Sequence, residues 1–94
     1  MSAKDNRPTV LIATGRVQTR ALGITVLRAA GFQVRAETRG EAILADFETR
    51  PPDLILADLE LEDMDAASLC SRVRDYAAGR VVPILVISDF LESP

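Results

Sequence analysis

The feature that most constrains the fold is a short apolar run that ends in a carboxylate. Residues 54–57 (Leu-Ile-Leu-Ala) lead directly into Asp58. An uninterrupted apolar run of this length is typical of a strand buried on both faces, as in parallel sheets. In open parallel sheets, functional groups lie just beyond the carboxyl ends of the strands. Asp58 is therefore placed to act as a metal ligand, a nucleophile or an acidic helix cap.

The rest of the chain alternates predicted strands with predicted helices. Three further strands are predicted at residues 10–13, 32–37 and 81–87. Helices are predicted over residues 17–30, 40–49 and 65–76. This β-α-β-α-β-α-β order predicts an α/β fold with a parallel sheet and right-handed crossovers. The 94 residues are predicted to form a single domain with a flexible N-terminus at residues 1–7.

Composition argues against several functional classes. The net charge is -3 and no Lys/Arg cluster occurs, which disfavours nucleic-acid binding. The absence of histidine excludes Ser-His and Cys-His nucleophile systems and ordinary zinc sites. No phosphate-cradling glycine motif occurs, so the chain is not expected to be an enzyme. One cysteine, no signal peptide and no apolar membrane span predict a cytoplasmic protein that is not bound to a membrane.

Several segments together resemble one protein family. The stretch 52–58 (Pro-Asp-Leu-Ile-Leu-Ala-Asp), followed by Met64-Asp65, resembles the phosphoacceptor strand and loop of response regulator receiver domains of two-component signal transduction. The segments 29–32, 40–41 and 83–88 sit at the spacing of that family. The resemblance covers residues 8–88. It implies a flavodoxin-like three-layer sandwich, here with about four strands in the order 2-1-3-4.

The resemblance also implies roles for individual residues. Asp58 corresponds to the aspartate that takes a phosphoryl group from a histidine kinase in a phosphorelay. Ser88 corresponds to the hydroxyl that moves to hydrogen-bond the phosphate. Mg²⁺ would neutralise the transferring group, and the expected partner is a histidine kinase or another signalling protein.

Three departures from the family point to a degenerate receiver. Thr14 and Gly15 stand where the family has the acidic pair that holds the metal, which leaves Asp58 as the one carboxylate ligand and predicts weak Mg²⁺ binding. Glu62 and Asp63 stand where the family usually has Pro-Gly, and they are candidate substitutes for the missing ligands. The sequence ends at residue 94, and we expect the last strand and helix of the family, with its phosphoryl-contacting lysine, to be absent.

Three other side chains have simpler interpretations. Asp65 is interpreted as the N-cap of the third helix. Cys70 is interpreted as a small buried hydrophobic residue. Arg16 places a cation near the family's metal position, where it can pair with Asp58, Glu62 or Asp63, or with none of them.

The first helix is apolar on two sides. Alignment with the family predicts that its core-facing residues are Leu22, Val26, Leu27 and Ala30. A second apolar stripe is formed by Val17, Ala21 and Ile24. Because a helix that is apolar on two sides is usually buried on both, we expect a homodimer that uses this helix, the apolar strand at 81–87, or both.

These observations leave three functional hypotheses open. The leading one is a receiver-like domain, degenerate at its metal site, that acts through protein–protein contacts. The second keeps Asp58 as a working phosphoacceptor with a compromised metal site. The third, from another class, is a small ligand-binding domain or enzyme on a flavodoxin-like scaffold. Apart from these hypotheses, a plainer interpretation is that the chain is a shortened or proteolysed fragment of a full receiver.

Overall fold

Four parallel strands form the centre of the computed structural model, which describes residues 6–76 and 80–87. The strands are β1 (Thr9–Ala13), β2 (Gln33–Glu37), β3 (Leu54–Asp58) and β4 (Ile84–Ile87). They lie in the order β2-β1-β3-β4, and each neighbouring pair is parallel. The predicted fold class and strand order are therefore confirmed.

Three helices connect the strands: α1 (Val17–Ala29), α2 (Gly40–Asp46) and α3 (Ala66–Val73). Helices α2 and α3 are shorter than the sequence pattern predicted, because both end in turns that the apolar spacing does not distinguish from helix. Strand β4 starts at residue 84 and not at residue 81. Pro83 has no backbone N–H to give to a neighbouring strand, but its carbonyl accepts a hydrogen bond from Ile55 at 3.0 Å, just before β4.

The hydrophobic core lies between one face of the sheet and helices α2 and α3. Alternate residues of β1 and β3 point to this face, as the two-residue period of a strand requires. They pack against the apolar sides of the two helices, and the largest buried members are Leu11, Ile43, Leu44, Ile55 and Leu69. Because the same strands end at Ala13 and Asp58, this packing fixes the position of the carboxyl ends of β1 and β3.

Helix α1 lies on the opposite face, and the prediction of its buried side is wrong. Leu22 is 66% exposed and Val26 is 54% exposed, although both were expected to face the core. Ala30 is also exposed, whereas Leu27 is half-buried. Of the second predicted stripe, Val17 is exposed.

The placement of Gly23 explains this orientation. A Cβ atom on Gly23 would lie 2.8 Å from Cδ1 of Ile12, so the helix backbone rests directly on β1 at this point. The half-buried side of α1 consequently carries Gly23, together with Leu27 from the predicted core-facing set and Ile24 from the second stripe. An open apolar groove of about 370 Å³ lies beside α1. It is bordered by the flank of α1 that carries Leu22 and by Leu56 of β3.

Within the described residues, no helix is both long enough and apolar enough to cross a membrane.

Candidate functional site at the carboxyl end of strand β3

Asp58 is the last residue of β3 and is only 5% exposed. Strand β1 is its neighbour in the sheet, with Ala13 in register with Ala57. Since neighbouring parallel strands end at the same edge, Thr14 comes directly beside Asp58. The sequence therefore placed the acidic residue correctly at the carboxyl edge of a parallel sheet.

Two residues after β1, Thr14 and Arg16, contact the Asp58 carboxylate. The Thr14 hydroxyl donates a hydrogen bond to Oδ2 of Asp58 in the protein interior. The Arg16 backbone N–H donates to Oγ1 of Thr14 at 3.0 Å. The guanidinium Nη1 of Arg16 lies 3.9 Å from Oδ1 of Asp58. The candidate partners of Arg16 were Asp58, Glu62 and Asp63. The structure shows that Arg16 pairs with Asp58.

The role of Thr14 is a feature that sequence reasoning missed. In the sequence Thr14 stands out only as a replacement for an acidic residue, and no motif marks its hydroxyl as a partner for Asp58. The available signal was its position: a hydroxyl directly after β1 must lie beside the end of the adjacent strand β3. Thr14 is fully buried, so this hydrogen bond is shielded from water.

Asp63, one of the two candidate substitute ligands, points away from this site to the start of α2. Its carboxylate accepts hydrogen bonds from the backbone N–H groups of Gly40 at 2.6 Å and Glu41 at 3.0 Å. The Glu41 N–H has the largest effect and lowers the pKa of Asp63, desolvation opposes it, and the Gly40 N–H and the Arg39 guanidinium lower it further. These contacts keep Asp63 ionised as an acceptor for the helix N-terminus.

Glu62, the other candidate substitute, is closer to the site. A Cβ atom on Gly15 would lie 3.9 Å from Cγ of Glu62, so the two residues are neighbours. Glu62 itself is exposed. In the described ranges, however, no group of three His, Cys, Asp or Glu side chains is arranged to hold a metal ion.

The remaining predicted residues have clear outcomes. Asp65 is the N-cap of α3, as expected, because its Oδ1 accepts from the Ser68 N–H at 2.8 Å. That backbone N–H, supported by the Ser68 side chain, lowers the pKa of Asp65. Cys70 is half-buried and has a free thiol. Ser88, the candidate switch hydroxyl, lies outside the described residues.

Comparison with known sequences identifies relatives among response regulators. The sensory transduction protein RegX3 of Mycobacterium tuberculosis is 33% identical over 63 residues, which is 67% of this chain and 26% of RegX3. The transcriptional regulatory protein GltR of Pseudomonas aeruginosa is 30% identical over 83 residues, 88% of this chain and 34% of GltR. The matched stretch thus spans about a quarter to a third of the length of these relatives.

Solved structures support the same assignment. The N-terminal domain of a response regulator receiver protein from Methanoculleus marisnigri superimposes with a TM-score of 0.77 and 28% identity, covering 84% of this chain and 64% of that domain. The receiver domain of the sensor histidine kinase PA1611 from Pseudomonas aeruginosa, solved with a magnesium ion in its active-site cleft, gives a TM-score of 0.82. It is 24% identical, covers 93% of this chain and 72% of that chain, and shows the shared fold.

The family model of the response regulator receiver domain matches residues 10–94, which is most of the chain. This match agrees with the strand order, with the position of Asp58 at the end of β3 and with the relatives found by sequence and by structure. The chain belongs to the response regulator receiver domain family of two-component signalling.

Proposed function

We propose that this receiver domain is degenerate at its metal site and signals through protein–protein contacts. The observation that carries the proposal is the environment of Asp58. A Mg²⁺ site needs several oxygen ligands in near-octahedral geometry, usually with one or two carboxylates. Beside Asp58 the chain offers a threonine hydroxyl and an arginine guanidinium, and the loop carboxylate of Asp63 is committed to α2. These residues do not fit the metal that the family implies.

An exposed apolar surface supports the second part of the proposal. It is formed by Leu22 and Val26 of α1, Leu56 of β3 and Leu85 of β4, and we refer to it as the α1 groove face. Leu85 is in register with Leu56, so both side chains point to the same side of the sheet. Contiguous exposed apolar surface of this kind is typical of protein interaction sites.

The proposed partners are a histidine kinase or another signalling protein, and a second copy of the chain. Because Leu22 and Val26 are exposed, the α1 groove face offers a homodimer a second apolar surface besides the stripe of Val17, Ala21 and Ile24. In this proposal the domain catalyses no reaction of its own, binds no nucleic acid and acts in the cytoplasm.

A second candidate function is phosphoacceptance by Asp58. It is favoured by the position of this carboxylate, at the carboxyl end of β3 and at the family's phosphoacceptor position, and by the small part of its surface that remains accessible. In this alternative, the Asp58 carboxylate oxygen would attack phosphorus and displace the donor's leaving group.

Intact-mass analysis after incubation with a small phosphodonor separates the two functions. We expect no phosphoryl adduct on the wild-type protein, with or without Mg²⁺, because Asp58 is engaged by Thr14 and Arg16. A receiver domain of established phosphotransfer activity in the same reaction shows that the donor is active. An adduct that appears on the wild-type protein and disappears in Asp58→Asn would establish the second function and refute the first.

A further inference from the structure

The Asp58 carboxylate needs compensation for its charge, because it is almost fully buried. An ionised carboxylate removed from water is strongly unfavourable unless it is paired and hydrogen-bonded. In this chain both oxygens have a partner in the same short segment after β1. The Thr14 hydroxyl binds Oδ2, and the Arg16 guanidinium faces Oδ1 at 3.9 Å.

We infer that Arg16 is a built-in cation, which takes at Asp58 the place that a divalent metal ion takes in the family. The inference deepens the proposed function and rests on it in one respect, namely that the site is degenerate for metal. It adds what replaces the metal. Arg16 is held at this position by its own backbone, because its N–H donates to the Thr14 hydroxyl that binds Asp58.

The geometry also explains why a metal ion would be excluded. A divalent cation close to Oδ1 of Asp58 would share the space near the Arg16 guanidinium, and the two positive charges would repel each other. To reach Oδ2 it would have to displace the buried Thr14 hydroxyl. Unlike a metal ion, a covalently attached guanidinium does not leave when the Mg²⁺ concentration falls. The charge balance at Asp58 is therefore independent of Mg²⁺.

Paramagnetic Mn²⁺ tests the exclusion directly. We expect that millimolar Mn²⁺ causes no selective broadening of the amide resonances of residues 13–16 and 57–59 in the wild-type protein. The double variant Gly15→Asp with Arg16→Gln should show such broadening, reversed by excess Mg²⁺ and lost when Asp58→Asn is added. The new aspartate has room, since the nearest atom to a Cβ at position 15 is Cγ of Glu62 at 3.9 Å.

A double-mutant cycle tests whether Arg16 compensates the charge of Asp58. Arg16→Gln, Asp58→Asn and the combination of both are compared by urea unfolding in metal-free buffer. We expect the two changes to be coupled by at least about threefold in the unfolding equilibrium constant. Arg28→Gln, in the last turn of α1, is the matched control and should show no coupling to Asp58→Asn.

Any one of three results overturns the inference. The first is selective, Asp58-dependent Mn²⁺ broadening in the wild-type protein. The second is no broadening in the Gly15→Asp, Arg16→Gln variant, and the third is a coupling no larger than that of the control. The phosphodonor experiment is independent of these results: an adduct formed without Mg²⁺ would refute the proposed function and leave Arg16 as the cation of the site.

Discussion

At the scale of single residues, the loop between β3 and α3 uses its carboxylates to stabilise helix starts. Asp63 accepts hydrogen bonds from the first N–H groups of α2, and Asp65 accepts one at the start of α3. The first turn of a helix has N–H groups without intrahelical partners, and an anionic acceptor there also interacts favourably with the helix dipole. The loop that carries the family's signature therefore has a structural role that is independent of phosphorylation.

These contacts predict a specific loss of stability in acid. The pKa of Asp63 is lowered in the folded protein, chiefly by the Glu41 N–H. A carboxyl group whose pKa is lower in the folded than in the unfolded protein stabilises the fold. This contribution is fully present above the pKa of the unfolded state and is lost as the pH falls through the pKa of the folded state. The free energy of unfolding, measured by urea denaturation, should therefore decrease below about pH 4.

The variant Asp63→Asn identifies the group responsible. It should be less stable than wild type at pH 7, because the neutral amide is a weaker acceptor, and its stability should fall less steeply in acid. Asp65→Asn should behave in the same way, since the Ser68 N–H lowers the pKa of Asp65. If the free energy of unfolding of Asp63→Asn decreased in acid as steeply as that of the wild-type protein, another carboxylate would be responsible.

At this scale the sequence predicted the position of Asp58 at the end of a strand and the Asp65 cap. It did not predict that Asp63 accepts hydrogen bonds from the start of α2. The Asp65 cap is local, because donor and acceptor are three residues apart, and local patterns are visible in a sequence. The Asp63 contact to Gly40 joins residues that are 23 positions apart, and it depends on how the loop after β3 passes the start of α2. No spacing rule for single residues contains that information.

At the scale of elements, helix α1 ends in a Schellman motif at Gly31. The Gly31 N–H donates to the Arg28 carbonyl at 3.0 Å, and the Phe32 N–H donates to the Leu27 carbonyl at 3.1 Å. Gly31 has a φ of 100°, the one positive φ among the described residues. The sequence predicted a helix stop at this glycine, and the motif explains why the chain can turn there into β2.

The variant Gly31→Ala should destabilise the protein by about 1–2 kcal/mol, because a side chain disfavours this left-handed conformation. No atom lies within 4 Å of a Cβ atom at this position, so the cost comes from the backbone alone. Urea unfolding measures the change. Gly15→Ala is the matched control, since Gly15 has no positive φ and no close contact, and it should be nearly neutral. Equal effects of the two substitutions would contradict the assignment.

The apolar pattern of helix α1 predicted less about its packing than the apolar runs of the strands did. The sequence of α1 has two apolar stripes, but their spacing did not predict which line of the helix rests on the sheet, and Leu22, Val26 and Val17 are exposed. That choice depends on a close approach between Gly23 and Ile12, which belong to different elements. The apolar strands, in contrast, were predictable, because β1 is buried on both faces and β3 is buried on one face and half-buried on the other, so each strand is a continuous apolar run.

At the scale of the whole molecule, the two sides of the sheet differ in how completely they are covered. Helices α2 and α3 bury one face, whereas on the other side the α1 groove face exposes Leu22, Val26 and Leu85. Among the described residues, no strand pairs with the outer edge of β4. Exposed apolar side chains on this face favour association with another protein surface.

We expect the protein to form a homodimer through the α1 groove face at tens of micromolar concentration. Fully burying a leucine side chain contributes about 1.5–3 kcal/mol. Leu22→Lys should consequently weaken the dimer by about tenfold or more, since about 1.4 kcal/mol corresponds to a factor of ten in Kd. Light scattering coupled to size-exclusion chromatography measures the mass.

Val81→Lys is the matched control, because Val81 is 84% exposed and does not line the groove. Dissociation by Val17→Lys and not by Leu22→Lys would move the interface to the other flank of α1, and a monomeric wild-type protein would refute the dimer.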